Sequence, residues 1–314
     1  MVSRVLITID TELVWRHHAA GLSWQDNFAR SYEAAGVGVP YQLRVLAEHG
    51  LKACFFVDPM PALLHGLDPI KRMVEPILAA GQEVQLHAHP FWAGAGRAFR
   101  ELNEYDAAEQ QALIAQAREL MIAAGAPAPI AFRAGSYAAN ADTLRALAAL
   151  GISYDSSHNG CKHPDPSAVP LDRDQLAPTL VEGIIEVPVG QIEHQPGKLR
   201  HLQLCAVSIA EVRAALDHAI RQEHPLVTLV SHSFELASRD GLKVNGLAAS
   251  RFRTLCTLLA ARRDMLATSH FADLADLPLG GDARPYRSHP LRTLGRMAEQ
   301  AWGNARYERV RNVG

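Results

Sequence analysis

The sequence predicts one α/β architecture, a distorted, incomplete seven-stranded (β/α) barrel, and three observations predict it. Strand-like and helix-like segments alternate along the chain, the pattern of a parallel sheet. These units follow one another with no linker, no second composition class and no short repeat. The 314 residues, 48% apolar and 20% charged, suit one large domain with a substantial core.

Strand candidates are 4–10, 52–58, 83–89, 129–134, 151–156, 184–190, 225–232 and 264–269, short apolar runs that end in polar side chains. Helical periodicity covers 38–49, 70–80, 107–125, 140–150, 208–222 and 246–263. Gly50, Gly81, Gly125 and Gly151 stand just past helix ends, and Asn140 and Ser208 are placed to cap helix starts. Residues 13–37, 158–183 and 191–207 break the alternation and read as loops over the strand ends, where barrel active sites are built. Residues 1–280 form the barrel domain. The extension 281–314, with seven arginines against three acids, a net +4, reads as a surface helix packed on it.

Net charge is −2, so there is no global drive toward nucleic acid or membrane, and any such partner needs a local patch. The four cysteines are scattered without a CxxC and read as reduced thiols. The N-terminus enters a strand directly and no run of about 18 apolar residues occurs, so the expectation is a cytoplasmic protein with no transmembrane segment.

The richest stretch chemically is Gly81-Gln-Glu-Val-Gln-Leu-His-Ala-His-Pro90. Residues two apart on a strand share a face, so His87 and His89 stand about 7 Å apart at Cα, within reach of one divalent cation. The first strand, Val5-Leu-Ile-Thr-Ile-Asp-Thr-Glu12, ends in two carboxylates with the same spacing. Asp10 and Glu12 therefore divide into a metal ligand and a base, and the ligand set points to Zn²⁺, with Co²⁺ and Ni²⁺ as alternatives. In Phe132-Arg-Ala-Gly-Ser-Tyr137, Arg133 at a strand end needs a carboxylate partner, for which Asp10 is the candidate. Ser136 and Tyr137 are candidates to contact a ligand, as are Trp15 and Trp92 for stacking on a sugar ring. His232 ends another apolar strand and suits a proton donor, with Asp155 as the carboxylate that would hold its tautomer.

These elements in this order resemble the polysaccharide deacetylase family, also called NodB-homology or carbohydrate esterase family 4 proteins, over about 1–275. The resemblance implies Asp10 as base, Glu12, His87 and His89 as metal ligands, Arg133 as orienting residue and His232 as acid, with Asp155 behind it. It departs from the family in two places. The usual Thr-Phe-Asp-Asp is here Thr8-Ile-Asp-Thr-Glu12, and the two histidines are closer in sequence than is common. The implied activity is metal-dependent removal of an N-acetyl or similar N-acyl group from an amino sugar. A nucleotide- or lipid-linked glycan of bacterial surface-polysaccharide or O-antigen assembly is the substrate that a cytoplasmic member would meet. Two alternatives remain at this stage: an amidase acting on a non-sugar amide, and a non-catalytic glycan-binding module.

Overall fold

Alternation along β1 (Ser3–Thr11) decides which way the sheet faces. Val5, Ile7 and Ile9 join the large core between sheet and helices. Leu6 points the other way, into a smaller cluster with Cys54, Phe56, Ala131, Tyr154 and Val187. The period of two thus gives an outer face covered by helices and a lined interior. The computed structural model describes residues 2–94 and 99–308.

The later strands are β2 (Cys54–Val57), β3 (Glu83–Ala88), β4 (Ala131–Ala134), β5 (Tyr154–Asp155), β6 (Thr179–Val181), β7 (Ile184–Glu186), β8 (Gln191–Gln195), β9 (Lys198–His201), β10 (Leu226–His232), β11 (Leu266–Thr268) and β12 (Tyr286–Arg287). The main sheet runs β10-β1-β2-β3-β4-β5-β7-β6, with β11 also on β1. Eight of its nine strands are parallel and only β6, a hairpin partner of β7, is antiparallel. The fold is therefore the expected open (β/α) barrel, with nine strands where seven were expected.

Irregular backbone bonds span the opening between β7 and β10. Gly190 N–H donates to Thr228 O at 3.0 Å and Leu204 N–H to Val230 O at 2.9 Å, while Val187 N–H continues the pairing of β7 with β5 through Asp155 O at 2.7 Å. Glycine is required at 190, because a Cβ there would meet Thr228 O at 2.4 Å. Phe271, Leu274 and Leu277 fill the interior at the N-terminal ends of the strands. That leaves the C-terminal ends for the polar residues.

Helices Val39–His49, Asp68–Ala79, Ala107–Ala123, Ala141–Ala149, Ile209–Arg221 and Gly246–Ala260 lie where periodicity puts them. Asn140 accepts from Thr143 N–H and Ser208 from Glu211 N–H, as cap chemistry requires. Two expected loops are more ordered than their composition suggests. Within 13–37 lie helices Trp15–Ala19 and Trp24–Ser31, the second capped by Ser23 and buried through Phe28. Within 191–207, β8 and β9 form a hairpin that turns at Gly197. In the extension, β12 pairs with β8. Helix Pro290–Gly303 buries Thr293 and Arg296, and the Arg296 guanidinium lies 3.3 Å from Glu211. Among the described residues no helix is long and apolar enough to cross a membrane, and none of the four cysteines is in a disulfide.

Candidate metal centre and active site

Strand register assembles the site. Asp10 on β1 lies opposite His232 on β10, and His87 on β3 lies opposite Arg133 on β4. All point inward at the C-terminal ends of their strands, where barrels place their chemistry. Asp10 is 3% exposed and Arg133 fully buried. The guanidinium is satisfied all round: Nη1 donates to Asp10 Oδ1 at 2.6 Å and to Thr8 Oγ1 at 3.0 Å, while Nε and Nη2 reach Ser156 O and Oγ. It also sits 4.4 Å from the centre of the Phe56 ring. Burial pushes the Asp10 carboxyl up, but Arg133, His87 and His232 outweigh it and hold Asp10 below the ordinary range.

Glu12 continues the inward face two residues on. Its Oε2 is 2.7 Å from His89 Nε2 and 3.9 Å from His87 Nε2. One ligand atom from each of the three lies within 4.8 Å of the others, and among the described residues no other such group comes together. His87 Nδ1 donates to Arg133 O at 2.7 Å, which fixes the tautomer and turns the Nε2 lone pair toward Glu12. His89 Nδ1 is buried without a hydrogen-bond partner, packed against the backbone of Gly135. Burial drives His87 down to about 4. It also opposes charge on His89, yet the Glu12 carboxylate raises that imidazole to about 9, and Glu12 itself falls to about 2. The donor set of one carboxylate and two imidazoles fits a small divalent ion.

His232 Nε2 faces Asp10 Oδ2 at 3.8 Å. The carboxylate on its other side is not Asp155 but Glu235, with Oε2 3.6 Å from His232 Nδ1. Glu235 also accepts from His232 N–H at 2.9 Å and from Cys205 N–H. Asp155 is turned away by its own turn: it accepts from Ser157 N–H and Oγ–H and hydrogen bonds with the buried Glu186. The sequence expectation that Asp155 holds His232 is corrected on that geometry. Glu235 was missed, although a carboxylate three residues beyond a strand-end histidine is a legible signal.

The aromatic candidates divide. Tyr137 is 8% exposed, its hydroxyl is buried without a partner, and its neighbour Ser136 is exposed. Both carry positive φ, 63° and 55°, a costly backbone for residues with side chains. Trp92, by contrast, is 1% exposed and packs on Trp15, His18 and His65. It is therefore core under the cleft wall and not a free stacking face, which corrects that expectation. Trp15 is half-buried in the same cluster. The aromatic beside the Glu12, His87 and His89 cluster is Phe91, 4.7 Å from His89 between ring centres. Asp58, at the end of β2, is a second residue that sequence reasoning passed over. It is fully buried with Oδ2 unpartnered, and burial raises it to about 7.

A family model described as polysaccharide deacetylase matches residues 31–154, a span that includes His87, His89 and Arg133. No match was found among curated proteins. Among solved structures, the chain is similar to a candidate polysaccharide deacetylase from Mycobacterium smegmatis, 19% identical, TM-score 0.59, over 91% of this chain and 96% of that one. It also resembles the 4-alpha-glucanotransferase from Thermococcus litoralis, 12% identical, TM-score 0.51, over 89% of this chain and 42% of that one. A family 4 carbohydrate esterase from Streptomyces lividans is 13% identical, with TM-score 0.43 over 89% of this chain and 98% of that one. Residues 31–154 thus match the polysaccharide deacetylase family, on a fold shared along nearly the whole chain with the mycobacterial protein.

Proposed function

We propose that the chain is a metal-dependent deacetylase that hydrolyses the N-acetyl, or a similar N-acyl, group of an amino sugar. The observation that carries the reading is the convergence of Glu12, His87 and His89 beside an Asp10 that is kept ionised by buried Arg133. Those three side chains would hold the ion. A bound Zn²⁺, or Co²⁺ or Ni²⁺ in its place, supplies Lewis-acid polarisation of the acyl carbonyl and a nucleophile at neutral pH.

The chain's own residues do the rest. Asp10 accepts the proton of the attacking water, and Arg133 keeps that carboxylate charged and oriented. His232, raised to about 9 against the pull of burial by Glu235 and Asp10, is charged at neutral pH and hands its proton to the departing amine. The Ser136–Tyr137 backbone lies in the turn next to this cluster, and its amides suit a developing oxyanion. The form of substrate to assay first is the nucleotide- or lipid-linked amino sugar of surface-polysaccharide or O-antigen assembly, beside free chitooligosaccharide and a non-sugar amide.

The test is acetate release and metal content for wild type and Asp10→Ala after loading with Zn²⁺, Co²⁺ or Ni²⁺. Metal-dependent acetate release from the amino sugar, lost in the variant with metal still bound, is the expected result. Wild type that binds none of the three ions would end the proposal, and turnover of the non-sugar amide alone would replace the substrate.

A further inference from the structure

Helix Pro290–Gly303 is packed inside out. The face it buries against the barrel is polar: Thr293 donates to His194 O, Arg296 meets Glu211, and Gln300 donates to Ala206 O. The face it leaves outside is apolar, with Leu291 70%, Leu294 60%, Met297 51% and Trp302 53% exposed. A helix normally turns its apolar stripe toward the core. Here the polar stripe is satisfied internally, so the apolar one is free for another phase or molecule.

Charge selects between occupants. The extension from residue 281 carries net +4, whereas residues 1–280 carry net −6. Arg292 and Arg306 are exposed on the helix and at its end. A second copy seated on this helix would bring Arg292 and Arg306 against their own images, while an anionic lipid surface would be attracted to them. A tryptophan and leucines on one side, with arginines beside them, is the composition of a helix that lies in a membrane interface.

The helix also sits close to the cleft. Gln300 bonds Ala206 O, Cys205 N–H in the same loop donates to Glu235, and Gln203 Nε2 lies 3.2 Å from His232 Nδ1. We infer that helix Pro290–Gly303 docks the protein onto anionic membrane, apolar face down, with the cleft held near the lipid headgroups. The inference goes beyond the deacetylase reading and is read out without turnover, so either can fail alone.

The experiment is co-sedimentation of the full chain with vesicles of equal parts phosphatidylglycerol and phosphatidylcholine, and with phosphatidylcholine alone. Wild type is expected to partition about tenfold or more in favour of the anionic vesicles, with binding weakened by added salt. A Leu291→Gln/Leu294→Gln double variant loses binding to both vesicles while keeping its circular dichroism spectrum and melting temperature. An Arg292→Glu/Arg306→Glu variant loses only the anionic preference. Because these side chains lie outside the cleft, turnover of a soluble substrate stays unchanged in both. Wild type left in the supernatant with both vesicles overturns the inference. So does a wild-type dimer that the leucine variant turns into monomer without any vesicle binding, which would assign the face to a second copy.

Discussion

Glu235 grips His232 twice: its Oε2 accepts the histidine's own backbone N–H at 2.9 Å and stands 3.6 Å from Nδ1 of the ring. A carboxylate so placed holds the imidazole in its proton-donating state. Glu235→Gln keeps the shape and removes the charge. His232 should then fall from about 9 toward its ordinary 6.5, so the basic limb of the rate profile moves to lower pH. At pH 8 the loss in kcat should be about 10- to 100-fold, with partial recovery in Glu235→Asp. The raised imidazole also stabilises the fold. That contribution is complete below 6.5 and is lost as pH rises through about 9, so the gap in melting temperature between wild type and Glu235→Gln should close above that pH. An unmoved basic limb would show that Glu235 is structural only.

Gly135 is the floor under His89. A Cβ there would lie 2.3 Å from His89 Nδ1 and 2.5 Å from Cε1, too close for the ring to stay. Gly135 φ is not positive, so alanine is allowed by the backbone itself. Gly135→Ala should therefore displace the ring while leaving the strand intact. Metal affinity should drop about 10- to 100-fold, the usual penalty for disturbing support of a ligand. Competition with a coloured chelator measures it, and unchanged affinity would remove His89 from the ligand set.

Much of this was legible in the sequence because the barrel writes its interior in steps of two. Asp10 and Glu12, then His87 and His89, are same-face pairs on strands, and Arg133 and His232 each end an apolar run. What escaped depends on distances that spacing does not encode. Asp155 and Glu235 are both acids near strand ends, and only the turn after each decides which carboxylate reaches the imidazole. Trp92 follows the histidine pair closely and reads as a cleft residue. Yet the 3₁₀ turn Pro90–Gly94 carries it under the wall. The hairpin Gln191–His201 looked like loop because its strands are short and polar, and only the Pro196-Gly197 turn marks it.

Arg133 and Asp10 form a buried ion pair, and the two halves are unequal to lose. Removing the guanidinium leaves Asp10 charged without its partner and strands Thr8 Oγ1 and Ser156 O. Arg133→Met should cost about 3–5 kcal/mol in chemical denaturation. A cost under about 1 kcal/mol would mean that water reaches the pair and screens it.

Asp155 and Glu186 make a different kind of pair, two buried carboxyls in one place. Burial raises both, and Asp155 pushes Glu186 well above its ordinary range. A carboxyl raised in the folded state contributes stability at low pH that is lost as pH rises through the folded value. Glu186→Gln should therefore be more favourable, relative to wild type, at pH 8 than at pH 5 in thermal melts. Asp155→Asn should leave the basic limb assigned to His232 where it is, which separates this pair from the proposed proton donor.

If Glu12, His87 and His89 hold an ion as proposed, its binding displaces a proton from His89. The free imidazole is held at about 9 by Glu12, so it is charged at pH 7, whereas an imidazole ligand must be neutral. Glu12 at about 2 is already ionised and His87 at about 4 is already neutral, so neither adds a proton to the count. Calorimetric titration of the apoprotein with Zn²⁺ in buffers of differing ionisation enthalpy should give about one proton released per ion at pH 7. The apparent affinity should weaken about tenfold for each pH unit below 9 until His87 begins to protonate, and then fall more steeply. Zero protons released would mean that the ion bypasses His89. Two would mean that a second proton leaves, either from His87 or from water held on the ion, and repeating the titration at pH 6, where such water keeps its proton, tells the two apart.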